Sequence, residues 1–139
     1  MSEEQLNALL ERTAQFQEAV LAHVDGLAPA ENERCHVAFR AGCLSLEHAA
    51  GALVLIEHGW LAPAYALMRP QYECLVRGIW LLHAATDIWV GKLSAALTLE
   101  AARLANEGPR LADMLKQLET CSGSRKRPVK AVLTWSTAG

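Results

Sequence analysis

The sequence has few aromatic and few β-branched residues, and this scarcity argues against a β-sheet fold. Only 6% of its 139 residues are aromatic, whereas 52% are hydrophobic, with Ala and Leu dominating that fraction. Helices accept such a composition readily. A chain of this length usually forms one domain. We therefore predict an all-α protein, an up-and-down bundle of four to five helices with a kinked third helix.

The sequence also lacks a Cys-x-x-Cys motif, a basic leader and a long uncharged stretch. Its four cysteines are scattered, and its first residues, Met1-Ser2-Glu3-Glu4, are acidic where a signal peptide is basic. The longest uncharged runs, such as residues 59–68, are far shorter than the roughly 20 residues that cross a bilayer. These features predict a cytoplasmic protein with reduced thiols and no membrane span.

A net positive charge is absent as well, since the formal charge is −2 and the isoelectric point is near 6.2. Bulk attraction to nucleic acid or to an anionic membrane is therefore not expected. The last stretch is nevertheless basic, because no acid follows Glu119 while four cations do: Arg125, Lys126, Arg127 and Lys130. We predict a helical domain over residues 1–121 and a basic tail over 122–139. The tail is either plain solvated chain or a contact for an acidic partner or a phosphate backbone.

Local signals predict where the first two helices begin and end. Ser2 and Gln5 have the spacing of a capping box, which predicts a helix from there to about Asp25, with Gly26 beyond it. After a connector over residues 27–32, a second helix is predicted from about Glu31 to His58, because no breaker occurs before Gly59.

Prolines and glycines organise the rest of the chain. Pro63 predicts the first turn of a third helix that continues to Ala85 and kinks at Pro70. Thr86-Asp87 predicts the cap of a fourth helix that reaches about Asn106. Gly108-Pro109 then separates a shorter helix that ends near Cys121, and residues 129–133 predict one or two further helical turns.

The third helix carries the most unusual pattern of charge. Arg69, Glu73 and Arg77 follow one another at four-residue steps, so they project from nearly one face of the helix. They form either a structural ion network or a site at which an arginine binds a phosphate or a partner's carboxylate. Polar residues of the second helix could meet this ladder across the bundle, namely Glu47, His48, Glu57 and His58.

A metal site is not predicted. Glu33 and His36 supply one Glu-x-x-His pair, whereas a di-iron bundle needs two such pairs and further inward glutamates. Cys121 has no nearby histidine that would make it a nucleophile. The sequence therefore predicts neither a metal nor another cofactor.

Residues 48–83 resemble an uncharacterised bacterial helical family that is itself similar to HEPN proteins. The resemblance covers about a quarter of the chain and depends on these positions: Gly59, Ala64, Leu67, Arg69-Pro70, Glu73, Arg77-Gly78 and Trp80-Leu81. Arg77 and His83 also match the Arg-x(4–6)-His spacing of HEPN-type ribonucleases, in which paired chains build one site. By that resemblance Arg77 would stabilise the phosphate charge and His83 would help to move a proton.

Two departures from that pattern favour binding over catalysis. Gly78 occupies a position that is usually polar in HEPN-type ribonucleases, and the chain reaches Gly139 without the His-Gly-Gly-like signature that the resemblance leads us to expect. This predicts a shortened form that keeps the fold and an interaction surface but not the activity.

Our first hypothesis is accordingly a non-catalytic helical module that binds another protein. An inhibitor or accessory factor in a mobile-element or bacterial defence setting, such as an anti-CRISPR-type binder, would be one instance. The predicted binding residues are Arg69, Glu73, Arg77, His48, Arg125, Lys126 and Arg127. The alternative is a metal-independent ribonuclease that uses Arg77 and His83 at a dimer interface, with RNA as its substrate. Pairing of two copies through the second and third helices is expected in either case.

Overall fold

The computed structural model describes residues 2–95, 98–100, 103 and 107–121, and these residues are helical or lie in connections. None of the described residues is in a β-strand. The helices are α1 (Glu3–Val24), α2 (Glu33–Glu57), α3 (Leu61–His83), α4 (Asp87–Ser94) and α5 (Leu111–Cys121). The prediction of an all-α helical bundle is confirmed.

The capping box predicted at the start of α1 is present. The Ser2 hydroxyl accepts a hydrogen bond from the Gln5 backbone N–H at 3.3 Å, and the Gln5 side-chain oxygen accepts one from the Ser2 N–H at 2.9 Å. These two bonds satisfy donors that the first helical turn leaves without partners. The helix ends where predicted, because Asp25 caps it and Gly26 follows with a φ of 79°.

Helices α2 and α3 are separated by a short turn at Gly59, which has a φ of 75°. α2 begins slightly later than predicted, since the Asn32 side-chain oxygen accepts the Cys35 N–H at 2.8 Å and so caps the helix at that point. α3 has Pro63 in its first turn and continues through Pro70 to His83, as predicted. The kink at Pro70 stays a prediction.

The prediction of one fourth helix from Thr86 to about Asn106 is wrong. α4 ends at Ser94, and Ala95 has the extended ψ of 150°. Beyond it, Leu99 is helical again. The Ser94 hydroxyl donates to the Gly91 carbonyl at 3.1 Å and to the Glu33 carboxylate, and such side-chain bonds compete with continuation of a helix.

The expectation of no membrane span stays a prediction. Of the helices among the described residues, α2 is long and apolar enough to cross a bilayer by these two criteria, and 11% of its most apolar window is buried. One such helix is weak support for a membrane, because core helices of soluble proteins meet the same criteria.

The described residues form two compact units, each built from two separate stretches of chain. The first unit comprises described residues of 1–28 and 43–72. In it the Ser45 hydroxyl, which is buried, donates to the Gln71 carbonyl at 2.8 Å, and Gln17 Nε2 donates to the Leu46 carbonyl at 3.4 Å. Two polar bonds thus tie its helices together.

The second unit comprises described residues of 29–42 and from 73 onward, and it contains the most deeply buried side chains. Trp80 is 1% exposed, and its indole N–H donates to Gln117 Oε1 at 2.7 Å. A buried tryptophan usually needs such a partner for its N–H. The large side chains that are fully buried here are Val76, Trp80, Leu81, Met114 and Leu118. The predicted division at residue 121 stays a prediction.

Candidate functional site

The charged ladder of α3 is partly shielded from water. Arg69 is exposed, whereas Glu73 and Arg77 are half-buried. Arg69 and Glu73 each have an interaction partner. A partly shielded, partnered set of charges fits a structural network as well as a binding site.

Cys74 lies between two members of the ladder in sequence, and their charges affect the pKa of its thiol. Burial raises the pKa of the Cys74 thiol, the positive charge of Arg77 opposes that rise, and the carboxylate of Glu73 adds to it. Because burial is the largest of these effects, Cys74 stays protonated at neutral pH. A protonated thiol is a poor nucleophile, so this cysteine is not activated for catalysis.

Arg77 and His83 both lie on α3, and His83 is exposed in its last turn. Six helical steps of about 100° separate the two side chains by about 120° around an ideal helix. They therefore point to different sides of the same helix. A shared phosphate site would need a second chain, and that arrangement stays a prediction.

The histidines of α2 have separate surroundings. His48 is half-buried in the first unit. His58 follows the end of α2, where its Nδ1 lies 2.8 Å from the Val54 carbonyl and its ring lies 6.0 Å from that of Trp60. The nitrogen next to a carbonyl oxygen is the protonated donor, so His58 closes the end of its own helix. Convergence of Glu47, His48 and Glu57 on the ladder stays a prediction.

Arg34 donates three hydrogen bonds within the second unit. Its Nη1 donates to the carbonyls of Leu81 at 2.6 Å and Ala85 at 2.8 Å, and its Nη2 donates to Asp87 Oδ1 at 2.6 Å. The side chain of Arg34 is 27% exposed, and that of Asp87 is 99% exposed. One guanidinium thus joins the C-terminal end of α3 to the start of α4, and its charge suits a helix C-terminus.

Sequence reasoning did not find this contact. Arg34 stands between Glu33 and His36, which form a Glu-x-x-His pair in the sequence. Glu33 instead accepts a hydrogen bond from Ser94, and the described residues contain no group of three metal-binding side chains. The hydrogen-bond partners of Arg34 lie 47 to 53 residues away in sequence, so no local pattern predicts these bonds.

An apolar groove of about 340 Å³ lies between the first half of α2 and the second half of α3, within the second unit. Its lining includes Gly78, where an added Cβ would lie 3.1 Å from the Ala38 carbonyl oxygen. The two helix backbones therefore approach each other closely. The lining includes apolar walls at Phe39, Leu75, Ile79 and Leu82. Such a surface can receive apolar side chains.

The remaining predicted binding residues, Arg125, Lys126 and Arg127, lie outside the described residues, and so do the helical turns predicted at residues 129–133.

Comparison with known proteins finds one family. Residues 42–136 match DUF6988, which is described as a family of unknown function. The match covers more than half of the chain and includes the end of the groove, the whole of α3 and the ladder. No curated protein and no solved structure matches the chain.

Proposed function

Because the chain belongs to DUF6988, a family of unknown function, we propose a function from its surface: it is a helical module that binds another protein by docking. The proposal keeps the first hypothesis drawn from the sequence. The similarity to HEPN proteins, the inhibitory role and the defence setting stay predictions.

The observation that carries the proposal is the exposed apolar face of α1. This helix of 22 residues has no buried residue, although its sequence is amphipathic. Leu9 is 52% exposed and Phe16 is 71% exposed. These two residues are seven positions apart, which places them on the same face, two turns from each other. We name Leu9 and Phe16 the α1 face.

An exposed aromatic and leucine pair on one helix is typical of a helix that docks into a groove on another protein. Complete burial of a side chain such as phenylalanine contributes roughly 1.5–3 kcal/mol. Large hydrophobic side chains are also exposed on other described helices, for example Leu44 and Val54 on α2. Apolar surface on this scale supports an interaction with a partner.

Site-specific photo-crosslinking tests the proposal. A photoreactive phenylalanine analogue replaces Phe16 in the full chain, expressed in the cells that produce the protein. Glu18 receives the same analogue as the matched control, since it is exposed on α1 about 160° away around the helix. We expect one protein adduct of defined mass from position 16 and none from position 18.

Two results would contradict the proposal. Equal adduct patterns from both positions would mean that the α1 face has no preferred partner. An adduct of twice the chain mass alone would mean that this face binds only a second copy.

A second experiment in the same cells distinguishes the ribonuclease alternative from docking. RNA recovered with the wild-type chain and with a His83→Ala variant is compared for cleavage. Cleaved RNA that depends on His83 would favour the ribonuclease, whereas intact RNA in both samples would leave docking as the better account. The exposed position of His83 makes unfolding of this variant an unimportant complication.

A further inference from the structure

α3 carries an apolar stripe at coiled-coil spacing. Starting at Leu61, a hydrophobic residue or tyrosine recurs at alternating four- and three-residue steps until Leu82. Because α3 is one continuous helix, this spacing places the stripe within an arc of about 100°. Such alternation over three heptads is the pattern by which two helices pack knobs into holes. We name this stripe the α3 seam.

The α3 seam is uncovered along most of its length. Its exposed members, with exposed fractions between 42% and 71%, are Leu61, Tyr65, Met68, Leu75 and Leu82. Tyr72 and Ile79 are half-buried and complete the spacing. A helix in a soluble domain normally turns such a stripe toward its own core. Here most buried residues of α3, such as Val76, Trp80 and Leu81, lie outside the stripe, and the buried Ala64 lies at its edge.

The α3 seam is also free of charge. Arg69, Glu73 and Arg77 lie roughly 90° or more from its midline on an ideal helix. A partner for the seam must therefore be apolar at the same spacing, and charge does not select it.

We propose that the α3 seam is covered by the α3 seam of a second copy, with the two helices antiparallel and related by a two-fold axis near Tyr72. Tyr72 is the fourth of the seven seam positions, so three positions lie on each side of it at nearly equal distances. Antiparallel pairing at this point brings Met68 opposite Leu75 of the other copy and Tyr65 opposite its Ile79. An isologous contact of this kind requires a surface that is complementary to itself, and this spacing provides one.

The uncovered area agrees with a dimer. The five exposed seam residues leave on the order of 500 Å² of side-chain surface in contact with water, near the upper end for the largest apolar patch of a monomer. Two copies would together bury on the order of 1,000 Å² through these side chains alone, about the lower bound for a stable interface. The apolar groove adjoins the seam at Leu75, Ile79 and Leu82 and would enlarge the contact.

A bilayer is a less suitable cover. Arg69, Glu73 and Arg77 lie on the same helix as the seam, and insertion of the seam into hydrocarbon would bring at least the nearest of these charges to the lipid surface. Charged residues within a membrane are costly. The seam therefore favours another protein surface, and the inference is independent of the α1 face.

Light scattering during size exclusion tests the pairing. We expect the wild-type chain at micromolar concentration to have twice the mass of 15.1 kDa, and a variant with Tyr65→Lys and Met68→Lys to have the single mass. Both positions are exposed, so the variant is expected to keep its helical circular dichroism. Ile88→Lys is the matched control, because Ile88 is 72% exposed, Tyr65 is 71% exposed and Ile88 belongs neither to the seam nor to the α1 face, and this variant should remain dimeric.

Disulfide trapping tests the antiparallel direction, with the wild-type chain and its four cysteines as the background. Tyr72→Cys should form a disulfide-linked dimer, because the two-fold axis brings this position next to itself. Met68→Cys alone should not, because its two copies would be about 12 Å apart along the helices, beyond the roughly 7 Å between Cα atoms that a disulfide spans. A mixture of Met68→Cys and Leu75→Cys chains should form the mixed disulfide.

Several outcomes would overturn the inference. A wild-type monomer across micromolar concentrations refutes it, as does a dimer that Ile88→Lys disrupts as strongly as the two lysines in the seam. Disulfide trapping of Met68→Cys with itself at the efficiency of Tyr72→Cys would replace the antiparallel arrangement with a parallel one. Flotation of the wild-type chain with phosphatidylcholine vesicles, lost in the double lysine variant, would make lipid the cover of the seam.

Discussion

Substitution of Gly78 by alanine should separate two opposing effects at the closest approach of α2 and α3. A Cβ at this position would lie 3.1 Å from the Ala38 carbonyl oxygen and 3.5 Å from both the Gly42 nitrogen and the Ala41 Cβ. The nearest atom belongs to a helix backbone, which cannot rotate away as a side chain can. The helices must therefore move apart by a few tenths of an ångström to admit the methyl group.

The two effects have similar magnitudes. Alanine is favoured over glycine within a helix by about 1 kcal/mol, whereas excess volume in a packed site costs about 1–3 kcal/mol. Gly91 in α4 provides the control, because an added Cβ there meets no atom within 4 Å. Gly91→Ala should raise the free energy of unfolding by up to about 1 kcal/mol. Gly78→Ala should leave it unchanged or lower it by up to about 2 kcal/mol.

Urea unfolding followed by circular dichroism at 222 nm measures both variants, with all chains at one concentration because association would shift the midpoint. The difference between the two variants should be about 1–3 kcal/mol, since the helix-propensity gain is common to both. Equal stabilisation by the two alanines would refute the close approach, because the added methyl group at position 78 would then meet open space.

Two further predictions concern polar groups of the second unit. Arg34→Met should lower the free energy of unfolding by about 1–3 kcal/mol, because it removes the donors for the Leu81 and Ala85 carbonyls. Asp87→Asn is the control, and it should leave the thermal midpoint close to that of the wild type because the Asp87 side chain is 99% exposed. An equal loss of stability in Arg34→Met and Asp87→Asn would mean that Arg34 stabilises the protein through its ion pair and not through its bonds to the two carbonyls. Cys74 should be alkylated by iodoacetamide several-fold more slowly than the exposed Cys121 at pH 8, measured by mass spectrometry of peptides, because burial raises the pKa of Cys74. The same shift makes stability depend on pH. The stabilisation from keeping the Cys74 thiol neutral is complete below its ordinary pKa of 9.0, and it is lost as the pH rises through the higher pKa of the folded protein. Alkylation of Cys74 as fast as Cys121 would contradict this account.

Local signals predicted the helix ends well, because the bonds that form them join neighbouring residues. Ser2 and Gln5 satisfy each other across one turn, and Gly26 and Gly59 adopt positive φ values two residues after the last residue of the helices they follow. The early end of α4 was missed, since its cause includes a bond from Ser94 to Glu33, 61 residues away.

The candidate site was less predictable for the same reason. The four-residue spacing identified the ladder on α3, but spacing alone could not show that Arg69 and Glu73 have partners. Arg34 was overlooked because its role depends on carbonyls at the far end of another helix. Gly78 was noted only as a departure from a family pattern, whereas its neighbour across the groove is the backbone of Ala38.

The division into two units has a consequence for how the chain is made and cut. Each unit is assembled from two stretches, so no single cleavage of the chain releases one of them intact. On a ribosome, Ala38 is synthesised 40 residues before Gly78, the residue that packs against its carbonyl. The apolar side chains of residues 29–42 therefore stay uncovered until the stretch from residue 73 onward leaves the exit tunnel. Truncation before α3 is complete would leave Val37 and Ala38 exposed and favour aggregation.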